Sequence, residues 1–112
     1  MKLSQDAIIA PAKLTRYLLI WREADDKSKF LAQAGYDQDN WSQLEQDLRT
    51  QILPRDAVLS DEPNQFGDVY RIRGSLTGPN GKTLAVITIW MIEYDTQRTK
   101  FITLYPDKEA IA

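Results

Sequence analysis

A tight turn in the second half of the chain constrains the fold more than any other feature of the sequence. Pro79, Asn80 and Gly81 are residue types that build a β-hairpin turn, and runs rich in β-forming residues lie on both sides. Proline suits the second position of a type I turn, and glycine suits the left-handed position of a three-residue loop with a bulge. The turn therefore predicts a hairpin in which Gly78 pairs with Lys82.

This pairing also predicts the two faces of the hairpin. It places Tyr70 opposite Trp90 and Arg73 opposite Ile87, whereas a two-residue Asn-Gly turn would shift the register by one residue. One predicted face is mostly apolar and aromatic: Tyr70, Ile72, Leu76, Leu84, Val86, Thr88, Trp90 and Ile92. The other face is mixed: Val69, Arg71, Arg73, Ser75, Ala85, Ile87, Ile89 and Met91. Residues 85–92 are apolar on both faces, which predicts a central strand.

The segment before the hairpin has the apolar periodicity of helices. Pro11 suits a first helical turn, and an apolar stripe after it predicts the first helix: Leu14, Tyr17, Leu18 and Trp21. A second helix over residues 27–34 is predicted to end at a left-handed Gly35, with Asp25 or Asp26 as its cap.

A third helix and a third strand complete the pattern. The helix is capped by an Asp or Asn within residues 37–40, ends at Pro54 and has one stripe: Trp41, Leu44, Leu48 and Ile52. Residues 55–67 have little apolar content and are predicted to form a loop. After a polar turn at residues 95–99, a strand over residues 100–105 is predicted to return antiparallel to the central strand.

These elements predict an α+β fold in a single domain over residues 1–112. Two or three N-terminal helices, over about residues 11–53, precede a three-stranded antiparallel β-meander over about residues 68–106. We expect the helices to pack on one face of the sheet, and residues 7–10 offer a further strand. At 112 residues, one hydrophobic core is the default expectation.

The composition excludes several kinds of catalytic and metal site. The chain has no cysteine and no histidine, which excludes disulfides, Cys-His and Ser-His-Asp mechanisms, and His-ligated zinc. Magnesium or calcium sites built from carboxylates alone stay open as alternatives, but no stretch has the spacing of a calcium loop, and we predict no metal site and no cofactor. A net charge of −2 provides no general attraction to nucleic acid or anionic membranes. The absence of a signal-peptide pattern, and of an apolar run of about 20 residues, predicts a cytoplasmic protein without a membrane partner.

Two motifs suggest anion binding. Arg71 and Arg73 leave the same face of one strand, where they form either an anion clamp or a solvated edge paired with acidic residues. Residues 78–82 resemble a phosphate-binding glycine loop, but they join two strands and open no helix, which favours a structural turn.

Two further groups of residues carry alternative interpretations. If the second turn has an even number of loop residues, four side chains converge on one face: Thr88, Trp90, Thr103 and Tyr105. They either hold a sugar or a base or belong to the core. A candidate interface lies on the face away from the helices: Val69, Ile87, Ile89 and Met91. Either a second copy or another protein covers this interface, or the stems of Arg71 and Arg73 lie across it.

A resemblance covers residues 10–106. The motifs Lys13-Leu14-Thr15-x-Tyr17-Leu18-Leu19, Gly74-x-Leu76-Thr77-Gly78-Pro79-Asn80-Gly81-x-Thr83, Thr88-x-Trp90 and Thr103-x-Tyr105-Pro106 resemble a small bacterial and cyanobacterial family of domains of unknown function. Helices followed by a meander are also similar, more loosely, to the ribonuclease-toxin superfamily that includes barnase and RelE-like toxins. That second likeness is one of fold, which does not imply function.

The apolar surplus and the lack of a proton-transfer constellation favour a non-enzymatic interaction domain. The predicted partner is a second copy of the chain or another protein. The alternative is an RNA-cleaving or nucleotide-binding domain that uses four residues: Arg71, Arg73, Thr88 and Tyr105. The sequence leaves open whether the domain is catalytic.

Overall fold

One antiparallel sheet of four strands, in the order β1-β2-β3-β4, organises the molecule. The computed structural model describes residues 1–20, 27–62 and 64–111. Its strands are β1 (Val58–Leu59), β2 (Gly67–Thr77), β3 (Thr83–Glu93) and β4 (Thr99–Pro106). Its helices are α1 (Pro11–Lys13), α2 (Lys27–Ala32), α3 (Trp41–Asp47) and α4 (Lys108–Ile111). A π-helical turn continues α1 over Leu14–Leu18, another continues α3 over Leu48–Ile52, and a 3-10 turn at Gln38–Asn40 precedes α3.

The predicted α+β class and hairpin register are confirmed. Tyr70 lies opposite Trp90, and Arg73 lies opposite Ile87. The Gly78 amide donates to the Lys82 carbonyl over 3.0 Å. The register follows from the turn chemistry, because a bulged three-residue loop sets the pairing of both strands.

The predicted number of strands is wrong. Val58 and Leu59 were predicted to lie in a loop, but they pair antiparallel with Arg71 and Tyr70. A two-residue edge strand with both side chains exposed has no alternation that a pattern could reveal. Instead of a further strand over residues 7–10, Ile8 alone forms a parallel bridge with Lys100.

A β-bulge interrupts β4 and explains how its side chains divide. Trp90 pairs with Phe101, but Ile89 pairs with Thr103, so Ile102 is an extra residue. Phe101 and Leu104 are both buried, although they are three positions apart. Regular alternation would bury only one of them, and the bulge turns both toward the core.

Most of the core lies between the sheet and the N-terminal helices. The buried residues include three from the predicted α3 stripe (Leu44, Leu48 and Ile52) and seven from the predicted apolar face (Tyr70, Ile72, Leu76, Leu84, Val86, Thr88 and Trp90). Asp37 starts the helical segment in a capping box with Asn40, and Gly35 is left-handed, as predicted. The predicted stripe residue Trp21 and the caps Asp25 and Asp26 lie outside the described residues.

Helix α4 follows the sheet and corrects the prediction that all helices precede it. Asp107 accepts a hydrogen bond from the Ala110 amide over 3.4 Å, and its own amide donates to the Ala85 carbonyl over 2.9 Å. These contacts place α4 beside β3, on the face of the sheet opposite most of the core, which we call the open face.

Candidate functional site

A groove of about 560 Å³ lies on the open face at the end of β4. Strands β2, β3 and β4, the start of α2 and the start of α4 supply its walls. It is lined by Lys27, Arg73, Ile87, Tyr105, Pro106, Asp107, Lys108 and Glu109. The lining combines an apolar floor, one aromatic ring and charges of both signs.

Lys27 is held in place by neutral groups. Its Nζ donates to Tyr17 Oη over 2.7 Å and to Thr103 Oγ1 over 3.0 Å. The same atom lies 4.9 Å from the centre of the Tyr17 ring, a cation–π distance. Within residues 1–20, 27–62 and 64–111, no carboxylate forms an ion pair with Lys27. The half-buried Lys27 therefore brings a positive charge to the groove that these residues do not neutralise.

Arg73, in contrast, meets two carboxylates. Nη1 and Nη2 each donate to Glu109 Oε2 over 3.2 Å, and Nη1 lies 3.7 Å from Asp107 Oδ2. Asp107 is buried, whereas the Glu109 side chain is largely exposed. The charge of Arg73 is thus balanced by Glu109 in α4 and by Asp107 just before it, and the exposed Glu109 is the more easily displaced of the two.

The structure separates the four side chains whose convergence the sequence suggested. Thr88 and Trp90 are fully buried beneath the helices. Trp90 Nε1 donates to Thr88 Oγ1 over 2.7 Å, and Thr88 Oγ1 donates to the Ile72 carbonyl over 3.1 Å. The bulge turns Thr103 and Tyr105 to the open face, where they pair with Ile89 and Ile87. Of the four, Tyr105 lines the groove, and Thr103 accepts the hydrogen bond from Lys27 beside it.

The predicted arginine pair lies on the open face with the candidate interface. Arg71 and Arg73 are both exposed and point to the same side of β2. Ile87 is only 6% exposed and forms the floor of the groove, whereas three others are half-buried: Val69, Ile89 and Met91. Each of these β3 side chains has a β2 neighbour across the strand pair, with Arg71 beside Ile89 and Arg73 beside Ile87.

The glycine-rich turn has a packing role. The Asn80 amide donates to the Ala34 carbonyl over 3.3 Å, and its side chain donates to the Gln33 carbonyl over 3.0 Å. A Cβ at Gly78 would overlap the Ala34 carbonyl. The turn therefore rests against the end of α2 and leaves no room for a phosphate between them. This packing agrees with the interpretation of residues 78–82 as a structural turn.

Sequence reasoning missed several residues that line the groove or hold Lys27 in place. Tyr17 was assigned to a core stripe, Lys27 to the start of a helix, and Asp107 and Glu109 were not considered. Lys27 and Thr103 are 76 positions apart, and no local pattern links them. The sheet register together with the bulge is the information that would have been needed.

The described residues offer neither a metal site nor a membrane-spanning helix. No group of three or more acidic residues there could hold a metal ion. None of the described helices is long and apolar enough to cross a membrane.

Comparison with known proteins identifies a family but no activity. A family model described as a domain of unknown function, DUF6883, matches residues 2–108. It confirms the predicted resemblance to a family of this kind. No curated protein and no solved structure matches the chain. The looser likeness to ribonuclease toxins stays a prediction.

Proposed function

The chain belongs to DUF6883, a family of domains of unknown function, and we propose on the basis of its groove that it is a binding domain for an anionic ligand. In this proposal Lys27 receives the negative charge, while Tyr17 and Thr103 hold the ammonium group in position. The observation that carries the proposal is the half-buried Lys27, to which the described residues offer hydroxyl oxygens but no carboxylate.

The position of the Lys27 ammonium group, for which the described residues offer no carboxylate, has an energetic cost that favours an anion. Withdrawing a cation from water is unfavourable unless other groups replace its hydration, and neutral hydroxyls replace it only in part. An anion at Lys27 Nζ would add a counter-charge that the described residues do not supply, and the existing hydrogen bonds would reduce the entropy lost on binding. The groove volume of about 560 Å³ falls within the range of sites for small molecules.

Calorimetric titration with inorganic pyrophosphate tests this proposal. We expect Lys27→Met to weaken binding about 10- to 150-fold, because a charged hydrogen bond is worth about 1.5–3 kcal/mol. Lys82→Met removes the same charge from the exposed hairpin turn and serves as the matched control. Equal weakening in both variants would mean that pyrophosphate responds only to overall charge, and the proposal would fail.

Self-association is a second candidate function. Its support is the half-buried apolar surface of Val69, Ile89 and Met91, which continues along the open face beside the groove. If a second copy covers it, sedimentation velocity at high micromolar concentration should detect a dimer that Met91→Glu dissociates. A wild-type protein that sediments as a monomer there would eliminate this candidate and leave cover by the arginine stems.

The RNA-cleaving alternative keeps three of its four predicted residues at the open face, namely Arg71, Arg73 and Tyr105. Thr88 is buried and holds Trp90 instead. Incubation of the protein with total RNA, with Arg73→Ala as control, tests this alternative. Cleavage that is lost in the variant would establish an enzyme, and intact RNA would favour a purely binding role. The cytoplasmic location stays a prediction.

A further inference from the structure

We infer that the ligand of the groove is a nucleoside phosphate, with its base against Tyr105 and its phosphate at Lys27. This inference rests on the proposed anion site and names the chemical class that fits it. The ligand is either a free nucleotide or one unit of a single-stranded RNA, because both present the same base, sugar and phosphate.

The first step is the aromatic surface. Tyr105 is 36% exposed, and it pairs across the strands with Ile87, which forms the buried floor. An open ring at the edge of an apolar floor is a surface on which a planar base can stack. The adjacent Pro106 extends the apolar wall.

The second step is the spacing between this ring and the cation. Thr103 and Tyr105 are two positions apart on one face of β4, a backbone distance of about 7 Å. Lys27 Nζ is 3.0 Å from Thr103 Oγ1. A charge and a stacking surface are therefore separated by a distance that a single ribose can span.

The wall of the groove opposite Tyr105 carries both donor and acceptor groups. Beyond Ile87, Arg73 and Glu109 present donor and acceptor atoms together. Such a mixed wall suits the polar edge of a base better than a second phosphate, which Glu109 would repel. The predicted ligand thus contains one phosphate group at Lys27 and one base between Tyr105 and Arg73.

Calorimetry with AMP, ribose 5-phosphate and adenosine tests the inference on the full chain. Stacking is worth about 1–3 kcal/mol per base, so AMP should bind about 5- to 150-fold more tightly than ribose 5-phosphate. Tyr105→Leu should bring this ratio close to one, whereas Tyr105→Phe should preserve it. Because the readout is a ratio within one variant, a general loss of stability does not imitate the effect.

The outcomes separate the inference from the proposal beneath it. If AMP and ribose 5-phosphate bind equally and Lys27→Met weakens both, the anion site stands and the nucleoside inference fails. If neither binds, both fail. If AMP is preferred through Tyr105, a tetra-adenylate RNA identifies the source: tighter binding than AMP at the same salt concentration indicates RNA, and equal or weaker binding indicates a free nucleotide.

Discussion

The two faces of the sheet use similar side chains for opposite purposes. On the helix-covered face, Trp90 and Thr88 bond to one another and are fully buried. On the open face, Tyr105 is exposed and Thr103 supports the ammonium group of Lys27. Both strands contain an aromatic residue two positions after a threonine. In β3 this aromatic residue belongs to the core, and in β4 it forms a wall of the groove.

A single extra residue produces this difference. Without the bulge at Ile102, Thr103 would lie opposite Thr88 and Tyr105 opposite Val86, both on the covered face. The bulge lets Phe101 and Leu104 share the core and places the hydroxyls on the open side. Residue type alone therefore does not assign a side chain to packing or to binding in this sheet.

The largest expected effect is the difference in unfolding free energy between matched truncations on the two faces. Trp90→Ala should cost about 3–5 kcal/mol of unfolding free energy, because it leaves a cavity in the core. Tyr105→Ala should cost less than about 1 kcal/mol, as at most surface positions. Urea denaturation measures both changes. Similar losses would show that the open face is packed as tightly as the covered one.

Deletion of Ile102 should remove the bulge and leave both faces as they are. Without the extra residue, Phe101 stays opposite Trp90 and Thr103 opposite Ile89, so Leu104 remains in the core and we expect a loss of at most about 1 kcal/mol of unfolding free energy. Leu104→Ala empties the same core position and serves as the control, with an expected loss of about 2–5 kcal/mol. A deletion variant as destabilised as Leu104→Ala in urea denaturation would contradict the assigned register.

A smaller effect is expected at a buried hydrogen bond, which Tyr36 Oη donates to Asp47 Oδ2 over 2.6 Å. Burial, with the neighbouring Asp47 carboxylate, raises the pKa of Tyr36 above its ordinary value of 10.0. The folded state therefore holds this proton more tightly, and the stabilisation is complete below about pH 10 and lost as the pH rises further.

The corresponding variant is Tyr36→Phe. We expect it to lose about 1–3 kcal/mol at neutral pH and to show a weaker decline in stability above pH 10 than the wild type. Thermal unfolding across this range measures the difference. Tyr94 is present in both proteins, so its contribution to the two pH profiles is the same. Parallel pH profiles would show that Tyr36 is not protected by the fold.

The smallest effect is expected at the rim of the groove. Glu109→Gln removes an exposed partner of Arg73, so stability should change by only about 0.2–1 kcal/mol. Pyrophosphate binding should become about two- to threefold tighter at low salt, because a repelling charge is lost, and the gain should shrink as salt is added. Weaker binding in this variant would mean that Glu109 organises the groove instead of competing for it.

The sequence was sufficient for those parts of the fold that depend on local signals. The turn at residues 79–81 determined the hairpin register, and regular stripes located the helical segments. Two features lacked such signals: β1 is only Val58–Leu59, and α4 is four residues long. The bulge at Ile102 arises from competition between Phe101 and Leu104 for the core, which is a tertiary effect.

The candidate site was less predictable than the fold for the same reason. Arg73 and Tyr105 were identified from residue type, but Lys27 reaches Thr103 only after the helices pack around β4. Thr88 and Trp90 had the right chemistry and lie on the other face.

The most direct test is an amide chemical-shift map of the isotopically labelled full chain during titration with inorganic pyrophosphate. We expect saturable shifts to cluster in and beside the groove, at Lys27, at Thr103–Pro106 and at the start of α4. Shifts centred on the hairpin turn at residues 78–82, or the absence of saturable shifts, would contradict the assignment of the open-face groove as the binding site.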